Sequence, residues 1–266
     1  MDSLHFSEEA IAGLLTESVL MMILPIVLLI VWKIKTHEKI FPVFIGAVTW
    51  LLFAIILKIA PAYLLLQADN PVAKTISGNI WLTMFVAGIL AGLFEETGRF
   101  LAFRYVLKKY DQRRSAISYG IGHGGFESMY IGFQYISIPL MGIMINSGMG
   151  GLITAGADEA TKAVLISQLE PMASVTFVEA MLGTFERIPA IAVHIAFSVL
   201  VFAAVRNRKQ RYLYPVAIML HTLMDFSTVV YQAGMVPLWA MELILVGYAA
   251  AMGCFALKVY RKPENE

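Results

Sequence analysis

The sequence predicts an all-α protein, a polytopic membrane bundle of about seven transmembrane helices with its N-terminus outside and its C-terminus in the cytoplasm. Three observations predict it. Of the 266 residues, 59% are hydrophobic and 15% charged, with a mean hydropathy of +0.72, which leaves too little polar surface to wrap one soluble core of this size. The apolar residues fall in runs of about 20 or more, each long enough to cross a hydrocarbon layer of ~30 Å. The basic residues gather at alternate ends of those runs.

In order, the runs are residues 11–32, 41–66, 79–107, 115–146, 187–205, 212–232 and 237–259. Each is expected to be helical, because a backbone facing lipid must satisfy its hydrogen bonds within its own segment and no alternating barrel pattern is present. The first run lacks a basic leader and a small-residue cleavage site, so it reads as a retained span rather than a signal peptide. Residues 148–186, around the stretch "GGLITAGADEATKAVLISQLEPMASVTFVEAMLGTFER", mix Gly, acids and apolar residues at helical spacing. They read as one or two amphipathic helices at the membrane interface. No repeat or linker divides the chain, so residues 1–266 are expected to form one transmembrane domain with catalytic core helices over 79–232. The single cysteine, Cys254, excludes a disulfide framework and reads as a small packing residue.

Orientation comes from the cations. Lys33, Lys35 and Lys39 follow the first run; Arg104, Lys108, Lys109, Arg113 and Arg114 the third; Arg206, Arg208, Lys209 and Arg211 the fifth; Lys258, Arg261 and Lys262 the seventh. The positive-inside rule makes those ends cytoplasmic and puts the acidic start, with Asp2, Glu8 and Glu9, outside. That arrangement requires an odd number of spans, in agreement with the count. A net charge of +1 with no block of like charge excludes a nucleic-acid partner.

Eight ionisable residues interrupt the third to sixth runs: Glu95, Glu96, Arg99, His123, Glu127, His194, His221 and Asp225. A charged side chain at the centre of an inserted helix costs roughly 2.5 to 3.5 kcal/mol, so the three in the third run cost about 8, nearly cancelling its apolar residues. They must therefore be buried against partners. Glu95 and Arg99, His123 and Glu127, and His221 and Asp225 are each separated by one helical turn, so each pair projects from one face. Counted from the basic ends at ~1.5 Å per residue, all four helices place these groups about 12 to 21 Å deep, in one slab. A single hydrated cavity explains that shared depth. Gly120, Gly122, Gly124 and Gly125 around His123 allow another helix or a substrate to come close. Lys58, Glu17, Glu186 and Arg187 fall towards the outer ends of their runs and read as snorkelling or loop residues.

Carboxylates and imidazoles in a wet intramembrane cavity suit water activation, and so hydrolysis. An H-E-x-x-H zinc helix is absent, Asp225 is the single aspartate in an expected membrane interior, and no G-x-S-x motif stands beside a histidine. These absences exclude the zinc-helix, aspartyl and serine routes to cutting a peptide within the membrane. A glutamate-centred site remains.

"EETGR" (95–99), "HGGFE" (123–127), "AVHIAFS" around His194 and "HTLMD" (221–225) together resemble the glutamic-type intramembrane proteases. That superfamily holds the type II CAAX prenyl proteases, the bacteriocin-processing proteins and PrsW, and within it the set is most similar to the bacterial YhfC family. The resemblance implies an intramembrane peptidase of the bacterial cytoplasmic membrane that acts on a membrane-associated protein or peptide. It assigns Glu95 and Glu96 to water activation, Arg99 to holding one of them ionised, and His123 and Glu127 to positioning water or metal. His194 and His221 become oxyanion donors, with Asp225 orienting His221. Glu127 stands where the CAAX branch has a histidine, as in the PrsW branch, and Asp225 stands where the CAAX branch has an asparagine. Formal charge adds that four carboxylates against Arg99 alone leave a deficit that protons, imidazolium or a bound dication must relieve. Zinc accepts such ligands, with His123, Glu127, His194 and His221 as the candidates, so metal-free and zinc-dependent variants both stand. Two other classes fit the same residues: a proton- or ion-coupled transporter or channel, and a non-catalytic membrane scaffold of the same fold.

Overall fold

The computed structural model describes residues 4–261, apart from the side chain of Gln232; Asp2 and Lys262, used above for orientation, lie outside the described residues. Among the described residues all regular structure is helical. Seven helices are long and apolar enough to cross a membrane: α1 (Glu8–Thr36), α2 (Phe41–Leu66), α3 (Ile80–Val106), α4 (Arg113–Asn146), α5 (Phe177–Arg206), α6 (Arg208–Tyr231) and α7 (Leu238–Arg261). Large apolar side chains such as Ile34, Ile59 and Leu243 point outward, as lipid-facing residues must. Cys254 is also exposed rather than packed inside.

α5 departs most from expectation, beginning at Phe177 and not near residue 187. The cause is a reciprocal cap. Thr176 N–H donates to Glu179 Oε2 at 2.9 Å and Glu179 N–H donates to Thr176 Oγ1 at 3.2 Å, satisfying two donors that a helix start would leave open. The ten residues before Arg187 thus extend a spanning helix instead of lying in the interfacial segment. Within that segment a separate helix, Glu159–Leu169, is capped by Asp158, whose carboxylate accepts from Thr161 N–H at 2.7 Å.

Packing divides the chain into two compact units. One comprises the residues up to Ile26 with Ser128–Arg187, and its core holds Phe6, Leu14, Ile145, Leu169 and Ala173. Asn146 clasps the backbone of Phe6, accepting from its N–H at 3.0 Å and donating to its carbonyl at 2.8 Å. Glu17 and Arg187 are buried here, 5% and 8% exposed, and do not snorkel as expected. Arg187 pairs with Glu186 and attracts Glu17, while the two carboxylates repel each other, so one guanidinium answers both acids.

The other unit comprises Val27–Glu127 and the residues from Ile188 on. Phe103, Tyr119, Phe197, Leu200, Phe202 and Leu213 anchor its core. Its basic helix ends gather together. Arg206 donates to the carbonyls of Leu107 and Tyr110 at 2.8 and 3.2 Å, Arg113 donates to the carbonyl of Tyr260, and Lys39 lies over the Tyr110 ring. α4 is held closely between α2 and α5. A methyl group on Gly122 would sit 1.9 Å from the Val43 carbonyl oxygen, and one on Gly124 would sit 2.9 Å from His194 Cβ. Both α2 and α3 contain π-helical turns, at Leu51–Leu57 and Ala102–Val106, a local widening that recurs at functional sites.

Gly122→Ala forces a methyl group against backbone that cannot rotate away, and the expected loss is about 1–3 kcal/mol. Gly247→Ala, where nothing lies within 4 Å, serves as the control and is expected to leave stability unchanged or raise it by up to about 1 kcal/mol; thermal melts in detergent compare the two. The capping hydrogen bonds hold the Asp158 carboxyl below its usual range, so its support for the 159–169 helix is complete above a pH of about 4 and fades as pH falls through the lowered folded-state value. Hydrogen-exchange protection at Thr161 is expected to drop under that acidification and in Asp158→Ala at neutral pH, while Asp158→Asn keeps the cap and loses the pH dependence.

Candidate active site

The eight ionisable residues singled out from the sequence all lie in the unit built from Val27–Glu127 and the residues from Ile188 on. α3 contributes Glu95, Glu96 and Arg99, α4 contributes His123 and Glu127, α5 His194, and α6 His221 and Asp225. Glu95, Glu96, Arg99, His123, His194 and His221 are each at most 5% exposed. Such groups persist in an apolar interior only when paired.

The pairing is a continuous chain of contacts. Glu96 Oε1 accepts from Arg99 and from His221 Nδ1, the latter at 2.7 Å. Arg99 also reaches His194 Nδ1 at 3.3 Å, and His194 Nε2 lies 2.7 Å from Glu127 Oε2. Glu95 Oε2 is 3.1 Å from His123 Nε2 and 3.8 Å from His221 Nε2. Hydrogen-bond logic assigns the tautomers. Arg99 can only donate, so His194 Nδ1 accepts and its Nε2–H donates to Glu127. His221 Nδ1–H and His123 Nε2–H donate to Glu96 and Glu95. The imidazoles are neighbours, with ring centroids of His123 and His194 5.0 Å apart and of His194 and His221 5.6 Å apart. Phe197 stacks on His221 at 5.1 Å, fixing the ring plane from the apolar side.

Two placements differ from the sequence reading. Asp225 was expected to orient His221, but the structure gives that contact to Glu96, on another helix. The Asp225 side chain makes no hydrogen bond among the described residues and acts on His221, Glu95, Lys58 and Glu127 through its charge. Lys58, expected at an outer edge, sends its ammonium to 3.8 Å from Glu95 Oε1. A lysine seventeen residues into a spanning helix that starts at Phe41 was itself the missed signal, because a cation so placed needs a carboxylate.

The site can take a metal. One donor atom each from Glu95, His123 and His194 lie within 4.8 Å of one another, and all three residues are buried. A carboxylate with two imidazoles is a donor set suited to zinc and similar dications. Of the four candidates drawn from the sequence, His123 and His194 are in this cluster; Glu127 and His221 stand beside it as partners of His194 and Glu96. Formal charge agrees. Glu95, Glu96, Glu127 and Asp225 against Arg99 and Lys58 leave two negative charges, which one dication neutralises.

A membrane bundle that buries this donor set beside an acid-rich cluster defines an integral, multi-pass membrane protein with the makings of a metal-dependent hydrolase. Residues 20–246 match the family described as YhfC intramembrane metalloprotease. Over 250 residues the chain is 33% identical to the protein named "Uncharacterized membrane protein YhfC" of Bacillus subtilis (strain 168), an alignment spanning 94% of this chain and 95% of that one. The chain belongs to the YhfC family, and at that level it is a membrane protease. No solved structure matches it.

Removing one member of a buried ion pair strands the other. Arg99→Met leaves the Glu96 carboxylate with His221 alone, and the expected cost is about 3–5 kcal/mol. Chemical unfolding in detergent should show that loss, and should show part of it recovered in the double variant Arg99→Met with Glu96→Gln.

Proposed function

We propose that this protein hydrolyses a peptide bond of a membrane-associated protein or peptide within the bilayer, using glutamate-activated water beside a divalent metal, zinc by its donor set. The observation that carries the reading is the buried meeting of Glu95, His123 and His194, with Glu96 next to it in sequence and joined to it through His221. Glu95, His123 and His194 would hold the ion. When bound, the ion would polarise the scissile carbonyl and ease deprotonation of water.

Glu96 is the proposed base. Its Oε1 is engaged by Arg99 and His221, whereas Oε2 is buried without a hydrogen-bond partner. That oxygen can take the proton from water and pass it to the leaving amine nitrogen. Arg99 keeps Glu96 ionised between turnovers, and Glu127, by accepting from His194 Nε2–H, leaves His194 Nδ1 as the nitrogen that would turn from Arg99 to the ion. His221, when protonated at Nε2 in addition to the Nδ1–H held by Glu96, would be placed to donate to the developing oxyanion, and Asp225 tunes it by charge alone. The order of the four motifs supports kinship with the glutamic-type proteases, PrsW and the CAAX enzymes. The gathered basic helix ends support an N-out, C-in orientation, and the bacterial relative supports a place in a bacterial cytoplasmic membrane.

The experiment is cleavage of single-span membrane reporters in proteoliposomes, with metal content measured in parallel. Glu96→Gln is expected to retain the ion and lose turnover by at least about 100-fold, the lower end for a general base. Glu95→Gln is expected to lose both ion and turnover. Chelation should silence the wild type and added zinc restore it. Unchanged turnover in both variants overturns the assignment.

A further inference from the structure

α2 is not a uniform helix. Its turns widen to π geometry over Leu51–Leu57, and α-helix resumes at Lys58. A residue added to a 3.6-residue turn rotates everything after it by about 100°, so this widening decides which face Lys58 occupies. The widened segment is seated on the acid-bearing helix itself. A methyl group on Gly98 would lie 2.6 Å from the Phe53 ring, so the missing side chain of "EETGR" is what admits Phe53. With Phe53 there, the Lys58 ammonium stands 3.8 Å from Glu95 Oε1, with one quarter of its side chain exposed. A lysine serving only solubility would extend away from the bundle. This one is turned towards an acid whose residue is 5% exposed.

The two oxygens of Glu95 therefore have different surroundings. Oε1 faces Lys58, and Oε2 faces His123 and His221. We propose that Lys58 is a positioning residue of the hydrolytic site, holding Glu95 Oε1 so that Oε2 stays directed at the His123 side of the metal-binding cluster. The proposal rests on the reading of Glu95 as a metal ligand. It adds α2 to the helices that build the site, and it gives the π turn a function, namely bringing a cation round to the acid. It also completes the charge balance, since without Lys58 a single dication would leave the group net negative.

Full-length protein carrying Lys58→Met or Lys58→Arg tests this in proteoliposomes, with three readouts: thermal melting, the separate values of kcat and KM, and the visible absorption of the cobalt-loaded protein. Lys58→Met is expected to melt close to the wild type, to lose kcat by about 10–100-fold with KM nearly unchanged, as for other partners of metal ligands, and to shift the cobalt bands. Lys58→Arg keeps a cation in reach and is expected to restore most of kcat and the wild-type bands. Wild-type kcat and spectrum in Lys58→Met overturn the proposal, as does a Lys58→Arg protein that is folded and as impaired as the methionine variant. Glu95→Gln separates the two levels: if it retains turnover and cobalt bands the ligand reading falls, whereas if it loses both while Lys58→Met keeps both, only the role of Lys58 falls.

Discussion

Everything at the centre of this protein follows from the rule that charge inside an apolar bundle must be answered by charge or by hydrogen bonds at close range. Glu96 and Arg99, both fully buried, are where the rule bites hardest. Neither could be tolerated alone, and each has capacity left after meeting the other. That surplus reaches outward, from Glu96 to His221 and from Arg99 to His194 and on to Glu127. A requirement of burial thus becomes a network linking four helices, and joined to it stand a carboxylate and two imidazoles that could hold a metal ion.

Helix geometry makes the network possible. Polar side chains can meet only if backbones approach closely, and α4 approaches α2 and α5 through glycines that leave no room for a methyl group. Gly92 does the same between α3 and α6, where an added methyl group would lie 2.6 Å from the Ile218 carbonyl oxygen. Close backbones hold rings such as His123 and His194 within a few ångströms of one another. On the proposed reading such close packing serves function, because a base and a metal-ligand set contribute only when held within a fraction of an ångström of the productive arrangement.

A glutamate-centred reading and a metalloprotease description are compatible here. Two adjacent acids on one helix turn have different partners: Glu95 faces two imidazoles and a lysine, while Glu96 faces an arginine and one imidazole and keeps a buried oxygen unpartnered. Environments this unlike allow two chemically identical side chains to take the separate roles of ligand and base.

The sequence alone determined the number of helices long and apolar enough to cross, roughly where each runs, and eight of the ionisable residues that the bundle gathers, because span length and the cost of a charge in hydrocarbon are properties of single segments. It also carried the α5 start in Thr176 and Glu179, a cap hidden by the mixed composition around it. Only the tertiary structure decided which atoms pair. One-turn spacing on α6 suggested Asp225 for His221, but Glu96 on α3 holds that nitrogen; Lys58 joined the site and Glu17 was buried in the other unit. The physical reason is that helical periodicity says which residues share a face, whereas the choice of partner across helices depends on rotation and approach. Those are set by a π turn in α2 and by glycine contacts that no single segment reveals.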